Sequence, residues 1–312
     1  MITIGGGIAA TSLAKVMAEA GKRVLVLERE ASFKDLVRGE FLVPWGLAET
    51  RALGVDQTLM ESGAHELPKF EFRLGPPGEP RDFTSTTPQQ LPALGFYHPV
   101  AQEALLNAAA LAGAEVRRGV TAREIRPGSP PRVELREDDG TVELSARLIV
   151  GADGRNAMTR CALDGKTHHE RELRLLAGVL LDDVAAAEDT SLATFDMSSG
   201  RMGLIFPQGG GRVRAYSAFR GDDAERLDGA GAYDRVIEAC VATRIAAETS
   251  ANATVQGPLA TFECDDNFVP HPHRDGMVLI GDAAATTDPT WGKGSRSASA
   301  TRGCYGRAAL GR

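Results

Sequence analysis

The chain has 312 residues, of which 43% are hydrophobic and 25% charged, and a formal net charge of −7 at pH 7. This length and apolar content are enough to bury a full core, in one large domain or two interleaved ones. The acidic balance argues against a nucleic-acid partner, because no basic stripe is present to displace phosphate counterions. No apolar stretch reaches the length of a membrane span, and the four cysteines show no CxxC spacing. We therefore expect a cytoplasmic protein with no membrane partner and no metal site.

The first 28 residues have a βαβ pattern. A buried strand is predicted over 2–4, a helix over 9–19 and a second buried strand over 23–28, which ends in Glu28. Three glycines lie between the first strand and the helix.

These glycines fit the G-x-G-x-x-G/A pattern of a dinucleotide-binding turn, with Gly5, Gly7 and Ala10 at the fixed positions. Such a turn presents backbone N–H groups, here those of Ile8 and Ala9, and a helix N-terminus to a pyrophosphate. The pattern requires an acidic residue about 20 residues further on, to accept hydrogen bonds from the ribose hydroxyls. Glu28 lies 21 residues after Gly7 and is followed by Arg29. The alternative is a glycine-rich turn that binds no ligand.

The middle of the chain alternates between helix and strand patterns. A loop over 38–53 enters a second helix, with a break at Pro44-Trp45-Gly46, and an alanine- and leucine-rich helix is predicted over 100–111. Strands are predicted over 70–74, 114–117 and 121–125, followed by a hairpin of 132–135 with 141–144. The strand over 148–150 leads into Gly151-Ala152-Asp153-Gly154. In isolation Asp153-Gly154 is a common turn.

Strand patterns dominate after residue 174. They cover 175–181, 192–197, 202–206 and 212–219, followed by a helix over 233–250 and a strand over 277–280. We therefore predict an α/β fold in which a Rossmann-like FAD-binding domain is interleaved with a mostly antiparallel β-sheet substrate domain. The FAD-binding domain would comprise 1–66, 98–170 and 274–312, and the substrate domain 67–97 and 171–273.

A second glycine motif follows the last predicted strand. Gly281 and Asp282 stand where a carboxylate could meet the polyol chain of a flavin. The alanines at 283–285 would open a helix whose N-terminus stabilises negative charge at the pyrimidine end of the flavin ring. Motifs near the start, middle and end of the chain predict one large ligand, for which FAD is the candidate.

The loop after this motif contains the residues expected nearest the flavin ring. Close backbone approach is expected at Pro289, Gly292 and Gly294, and Trp291 is the best candidate to line an apolar pocket, with Pro289 beside it. No nucleophile elbow or acid–base pair stands out, so the catalytic residues stay unknown and the chemistry is assigned to the cofactor.

Gly5-Gly6-Gly7, Gly151-Ala152-Asp153-Gly154 and Gly281-Asp282 with Pro289 together resemble the single-component FAD-dependent aromatic hydroxylases, the para-hydroxybenzoate hydroxylase-like monooxygenases. The resemblance implies that the Asp-Gly pair serves both FAD and NAD(P)H. It also implies flavin contacts from Arg38 and Gln102 and an adenine contact from the backbone of Ala122. The implied reaction hydroxylates or epoxidises a small aromatic or polyketide-like substrate through a C4a-hydroperoxyflavin.

The chain departs from the family pattern in two places. Ala285 stands where the family often has histidine, and residues 295–302 lack the apolar stripe of the family's next helix. Our hypothesis is that the chain is frameshifted or truncated after about residue 294; a natural short variant is the alternative.

Other functions stay open on the sequence alone. A flavin-dependent halogenase shares this fold, although its W-x-W-x-I-P signature is absent. An FAD-linked reductase of isoprenoid double bonds and an inactive, truncated flavoprotein are further alternatives. The substrate, the choice between NADH and NADPH, and the oligomeric state are not set by the sequence.

Overall fold

The computed structural model describes residues 1–37, 39–137, 140–163, 166–169, 174–220 and 253–288. The predicted helix over 233–250 and the tail after residue 294 lie outside these residues. Among the described helices, none is long and apolar enough to cross a membrane.

A six-stranded sheet, here called the first sheet, contains the strands next to the glycine motifs. Its order is His273–Arg274, Met277–Leu279, Ile149–Gly151, Ile2–Ile4, Leu25–Glu28 and Glu115–Arg118. All neighbours are parallel except the edge strand His273–Arg274. Because the carboxyl ends of parallel strands meet at one edge, both glycine motifs and the Asp-Gly pair emerge together.

Layers on both faces explain why the central strands Ile2–Ile4 and Ile149–Gly151 are buried at every position. The helices Ile8–Glu19 and His98–Leu111 cover one face through a cluster that includes Ala14, Val26 and Leu106. Cluster residues Val133 and Leu135 of a three-stranded sheet cover the other face. A parallel sheet buried on both faces has no need of alternating polar positions.

The second main sheet has eight strands and is here called the large sheet. Its order is Thr254–Val255, Arg174–Asp182, Arg212–Arg220, Arg201–Gly209, Thr190–Asp196, Lys69–Arg73 and Arg81–Asp82, and Ala260–Glu263 also pairs with Arg174–Asp182. All pairings are antiparallel except that of Thr190–Asp196 with Lys69–Arg73. The mostly antiparallel character predicted for this sheet is confirmed.

Three small sheets complete the strand inventory of the described residues. They contain Thr121–Arg126, Arg132–Glu137 and Gly140–Ser145; His168–His169, Asn267–Phe268 and Ala285–Thr286; and Phe41–Leu42, Ala93–Gly95 and His65–Leu67. The hairpin predicted around residue 140 is confirmed. The strand predicted over 121–125 is present and pairs with this hairpin.

The remaining helices are short. They are Pro44–Ala52, Asp56–Glu61 and Phe83–Thr86, with 3₁₀ helices at Met158–Leu163 and Gly281–Ala283. Pro44 was expected to break the chain but occupies the first turn of its helix. A proline fits there because the first helical N–H has no internal acceptor.

Segments of the first sheet alternate along the chain with segments of the large sheet. The fold is therefore α/β, with a Rossmann-like part interleaved with a mostly antiparallel sheet. The division at residues 66, 97, 170 and 273 stays a proposal.

Gly95 marks the close contact between a small sheet and the large sheet. A β-carbon at this position would overlap the carbonyl oxygen of Pro207 and stand 3.3 Å from a methyl group of Leu67. We expect Gly95→Ala to lower the free energy of unfolding by about 1–3 kcal/mol, the usual cost of overpacking, measured by urea titration.

The matched control is Gly75→Ala, since a β-carbon at Gly75 would meet nothing within 4 Å. Equal effects of the two substitutions would contradict the packing argument.

Candidate cofactor site

The end of the first strand is locked against the end of the neighbouring strand by backbone contacts. Gly5 has φ +98°, and a β-carbon there would overlap the carbonyl oxygen of Ala152 and stand 3.1 Å from Cα of Asp153. The N–H of Ala152 donates to the carbonyl of Ile4 at 2.8 Å, and the N–H of Gly5 donates to that of Leu27 at 2.8 Å. Both the left-handed backbone and the lack of space require glycine at position 5.

Glu28 lies against this turn. Its carboxylate accepts hydrogen bonds from the backbone N–H of Gly6 at 2.6 Å and from that of Glu30 at 2.8 Å, and the residue is 7% exposed. Each carboxylate oxygen has a second lone pair that can accept from a ligand hydroxyl. The predicted proximity of Glu28 to the glycine turn is thus present.

Gly7 is the N-cap residue of the helix Ile8–Glu19; its backbone is extended, and no side chain caps the helix there. The N–H groups of Ile8, Ala9 and Ala10 lie in the first turn, where an α-helix has no internal acceptors. Nε2 of Gln102 would stand 3.9 Å from a β-carbon on Gly7. The structure therefore brings Gln102 to the same turn, although it is distant in sequence.

The second glycine motif packs against the start of this helix. Gly281 has φ +58°, and a β-carbon there would stand 3.0 Å from Cβ of Ala9. Asp282 follows in the 3₁₀ helix Gly281–Ala283 and is exposed. Residues from the two ends of the described chain thus meet at one helix N-terminus.

Asp153 holds the segment that follows the middle motif. Its carboxylate accepts hydrogen bonds from the backbone N–H of Thr159 at 3.0 Å and from the Thr159 hydroxyl. Gly154 has φ +82°, which lets the chain turn sharply after Asp153. These contacts fix a local turn and leave a cofactor role for Asp153 and Gly154 as a prediction.

Arg160 connects the middle motif to the last one and was not identified from the sequence. Its Nε donates to the carbonyl of Ala283 at 2.7 Å, and its Nη2 donates to the carbonyl of Asp282 at 2.7 Å and to Oδ1 of Asn267 at 2.9 Å. Burial lowers the pKa of the Arg160 guanidinium, while Asp153 and Asp282 oppose that decrease. The only sequence signal was an arginine seven residues after Asp153.

The expectation that residues 283–285 open a helix is wrong within the described chain. The 3₁₀ helix ends at Ala283, and Ala285–Thr286 is a strand paired with Asn267–Phe268. The carbonyl of Ala284 also accepts from the N–H of Val269 at 2.9 Å. Pairing with a distant strand outweighs the helix propensity of alanine.

Several predicted site residues have other positions or are not described. Arg29 exposes 74% of its side chain and pairs with Glu30, and Ala122 packs beneath the first sheet from the three-stranded sheet. Their cofactor roles stay predictions. The remaining candidates lie outside the described residues: Arg38, Pro289, Trp291, Gly292 and Gly294.

The arrangement fits FAD on structural grounds. An uncapped helix N-terminus suits a pyrophosphate, and the Glu28 carboxylate beside it suits a ribose. The close contacts at Gly5 and Gly281 would be lost with any larger residue. The motifs from the start, middle and end of the described chain therefore lie in contact beside one helix N-terminus.

Comparison with known proteins agrees with this geometry. A family model described as an FAD binding domain matches residues 1–299. The 6-methylpretetramide 4-monooxygenase of Streptomyces rimosus is 29% identical over 93% of this chain and 70% of its own length. Digeranylgeranylglycerophospholipid reductase 2 of Methanopyrus kandleri is 28% identical over 94% of this chain and 72% of its own.

A solved structure shows the same fold. The myxobacterial chondrochloren halogenase, an FAD-dependent enzyme by its description, superposes with a TM-score of 0.85 at 23% identity, covering 99% of this chain and 74% of the halogenase.

The two hydrogen bonds to Glu28 generate a prediction. Glutamine offers one acceptor oxygen and turns an NH₂ group toward one of the two backbone N–H donors. A hydrogen bond to a charged group contributes about 1.5–3 kcal/mol, so we expect Glu28→Gln to lower the unfolding free energy by that order and to weaken FAD binding at least about tenfold. Urea titration of the apoprotein and fluorescence titration with FAD measure both effects.

Glu30→Gln is the control, because within the described part of the chain the Glu30 side chain forms only surface ion pairs of 3.3 Å with Arg29 and Lys34. An FAD affinity that Glu28→Gln leaves unchanged would remove Glu28 from the site.

Proposed function

The chain belongs to the FAD-dependent monooxygenase family. We propose that it uses NAD(P)H and O₂ to insert one oxygen atom into a small aromatic or polyketide-like substrate. Membership makes it an oxidoreductase with FAD as its cofactor. The reductant, the oxygen insertion and the substrate class are the proposal.

One observation carries this proposal. The glycine turn, the segment after Asp153 and the segment after Gly281 are in mutual contact, and the monooxygenase relative aligns with 93% of this chain. The relative therefore aligns with most of the chain that holds these segments.

The residues of the chain bind and orient the cofactor. The N–H groups at the start of the helix Ile8–Glu19 would bind the pyrophosphate, and Glu28 would accept from the ribose. Arg160 donates to the carbonyls of Asp282 and Ala283 and so fixes that segment relative to the middle motif. When bound, FAD supplies the chemistry of accepting hydride and reacting with O₂.

One face of the large sheet is suited to the substrate. It buries an apolar cluster that packs against Val37, next to position 38: Leu176, Met202, Leu204, Phe206, Tyr216 and Ala218. Burial raises the pKa of the Tyr216 hydroxyl, so this phenol stays neutral at physiological pH. This packed apolar layer would border a substrate held away from water.

A second candidate is reduction of an isoprenoid double bond, favoured by the reductase that aligns with 94% of this chain. Halogenation is a third, favoured by the superposition with the chondrochloren halogenase. We also propose a cytoplasmic location. The alternative to an active enzyme is a flavoprotein that binds FAD and turns over no substrate.

We expect the purified chain to be yellow and to release FAD on denaturation. With NAD(P)H, ¹⁸O₂ and a panel of phenols and polycyclic enols, the product of the accepted substrate should contain one ¹⁸O atom by mass spectrometry. A matched anaerobic reaction should give no product.

Each alternative predicts a different result. Product formed without O₂ identifies a reductase, and product formed only with added chloride or bromide identifies a halogenase. Bound FAD without turnover on any substrate favours the inactive flavoprotein.

A further inference from the structure

Resting on the proposed function, we propose that Glu40 is a positioning residue. With Arg214 it fixes residues 35–37 and 39–40 and the start of the helix His98–Leu111 to the large sheet. The candidate flavin contact Gln102 belongs to that helix, so the pair sets where the flavin lies relative to the large sheet.

Glu40 and Arg214 form a fully buried ion pair across a long stretch of sequence. Nη2 of Arg214 donates to Oε1 of Glu40 at 2.9 Å, and its Nε donates to Oε2, so the contact is two-pronged. Both side chains are 0% exposed. Such a planar contact fixes direction as well as distance.

The carboxylate of Glu40 also binds two other parts of the chain. Oε2 accepts from Nε2 of Gln208 at 2.8 Å, and Oε1 accepts from the backbone N–H of His98 at 3.2 Å. His98 is the first residue of the helix that carries Gln102. Glu40 therefore connects two strands of the large sheet to the beginning of that helix.

Arg214 holds the segment on the other side of position 38 as well. Its Nη2 donates to Oδ2 of Asp35 at 2.8 Å, while Oδ1 of Asp35 accepts from the N–H of Val37 at 2.8 Å. Val37 has φ +57°, a strained conformation for a β-branched residue. After position 38, the carbonyl of Gly39 is 3.0 Å from Nδ1 of His98. These contacts hold the described residues on both sides of position 38.

The charges of this cluster favour a positioning role over a purely stabilising one. Two carboxylates surround one guanidinium, and Nη1 of Arg214 is buried without a hydrogen-bond partner among the described residues. Buried ion pairs often stabilise a fold no better than apolar residues of similar volume. The pair lies where three segments of the chain meet. It therefore contributes more to the relative positions of these segments than to the stability of the fold.

The test compares Arg214→Lys with Arg212→Lys. Lysine keeps the charge at 214 and loses the two-pronged contact. Arg212 lies on the same strand and makes a similar two-pronged contact, at 2.7 and 3.0 Å, with Asp182 near the surface. Each variant is titrated with FAD by fluorescence, and the visible circular dichroism of the bound flavin is recorded without NAD(P)H or substrate.

We expect Arg214→Lys to raise the Kd for FAD about tenfold or more and to change the flavin dichroism, while Arg212→Lys matches the unmodified chain. Unchanged affinity and dichroism in Arg214→Lys would overturn the proposal. So would equal changes in both variants.

If Arg214→Lys fails to fold, the uncharged triple variant Asp35→Asn, Glu40→Leu, Arg214→Met removes the buried charges and tests the same claim. A folded triple variant with weakened FAD binding supports positioning, and unchanged binding overturns it. Because these readouts need no turnover, failure of the chain to hydroxylate any substrate would count against the proposed function alone.

Discussion

At the carboxyl end of the first strand, the backbone of Gly5 passes so close to Ala152 that no side chain fits between them. This approach exists because the strands Ile2–Ile4 and Ile149–Gly151 are parallel neighbours whose ends coincide, with Ile4 opposite Gly151. Glycine supplies the left-handed backbone that lets the chain turn there into a helix. The helix N-terminus is consequently presented beside the Asp-Gly turn.

The rest of the site is built outward from that contact. Gly281 reaches the helix at Ala9 because the strand Met277–Leu279 is the next parallel neighbour. Arg160 then joins the carbonyls of Asp282 and Ala283 to the middle segment. Glu40 connects the loop after the second strand to the large sheet. Backbone packing thus joins the glycine motifs, and a buried ion pair joins the first sheet's loop to the large sheet.

Features that depend on local sequence patterns could be predicted from the sequence. The βαβ unit, Glu28 at its end and most strands of the large sheet followed from periodicity and glycine spacing. The roles of Arg160 and of the Glu40–Arg214 pair could not be predicted, because these residues contact partners more than 100 residues away in the chain. The strand at Ala285–Thr286 was missed for a different reason, since three alanines favour a helix until the strand Asn267–Phe268 pairs with them.

The central claim is that separated segments form one elongated FAD site. Hydrogen–deuterium exchange of the full chain with and without FAD tests it most directly. We predict that FAD slows exchange together at the turn 5–10, at 28–30, at 152–154 and at 281–283. Protection confined to one of these segments, or spread over the protein without them, would contradict it.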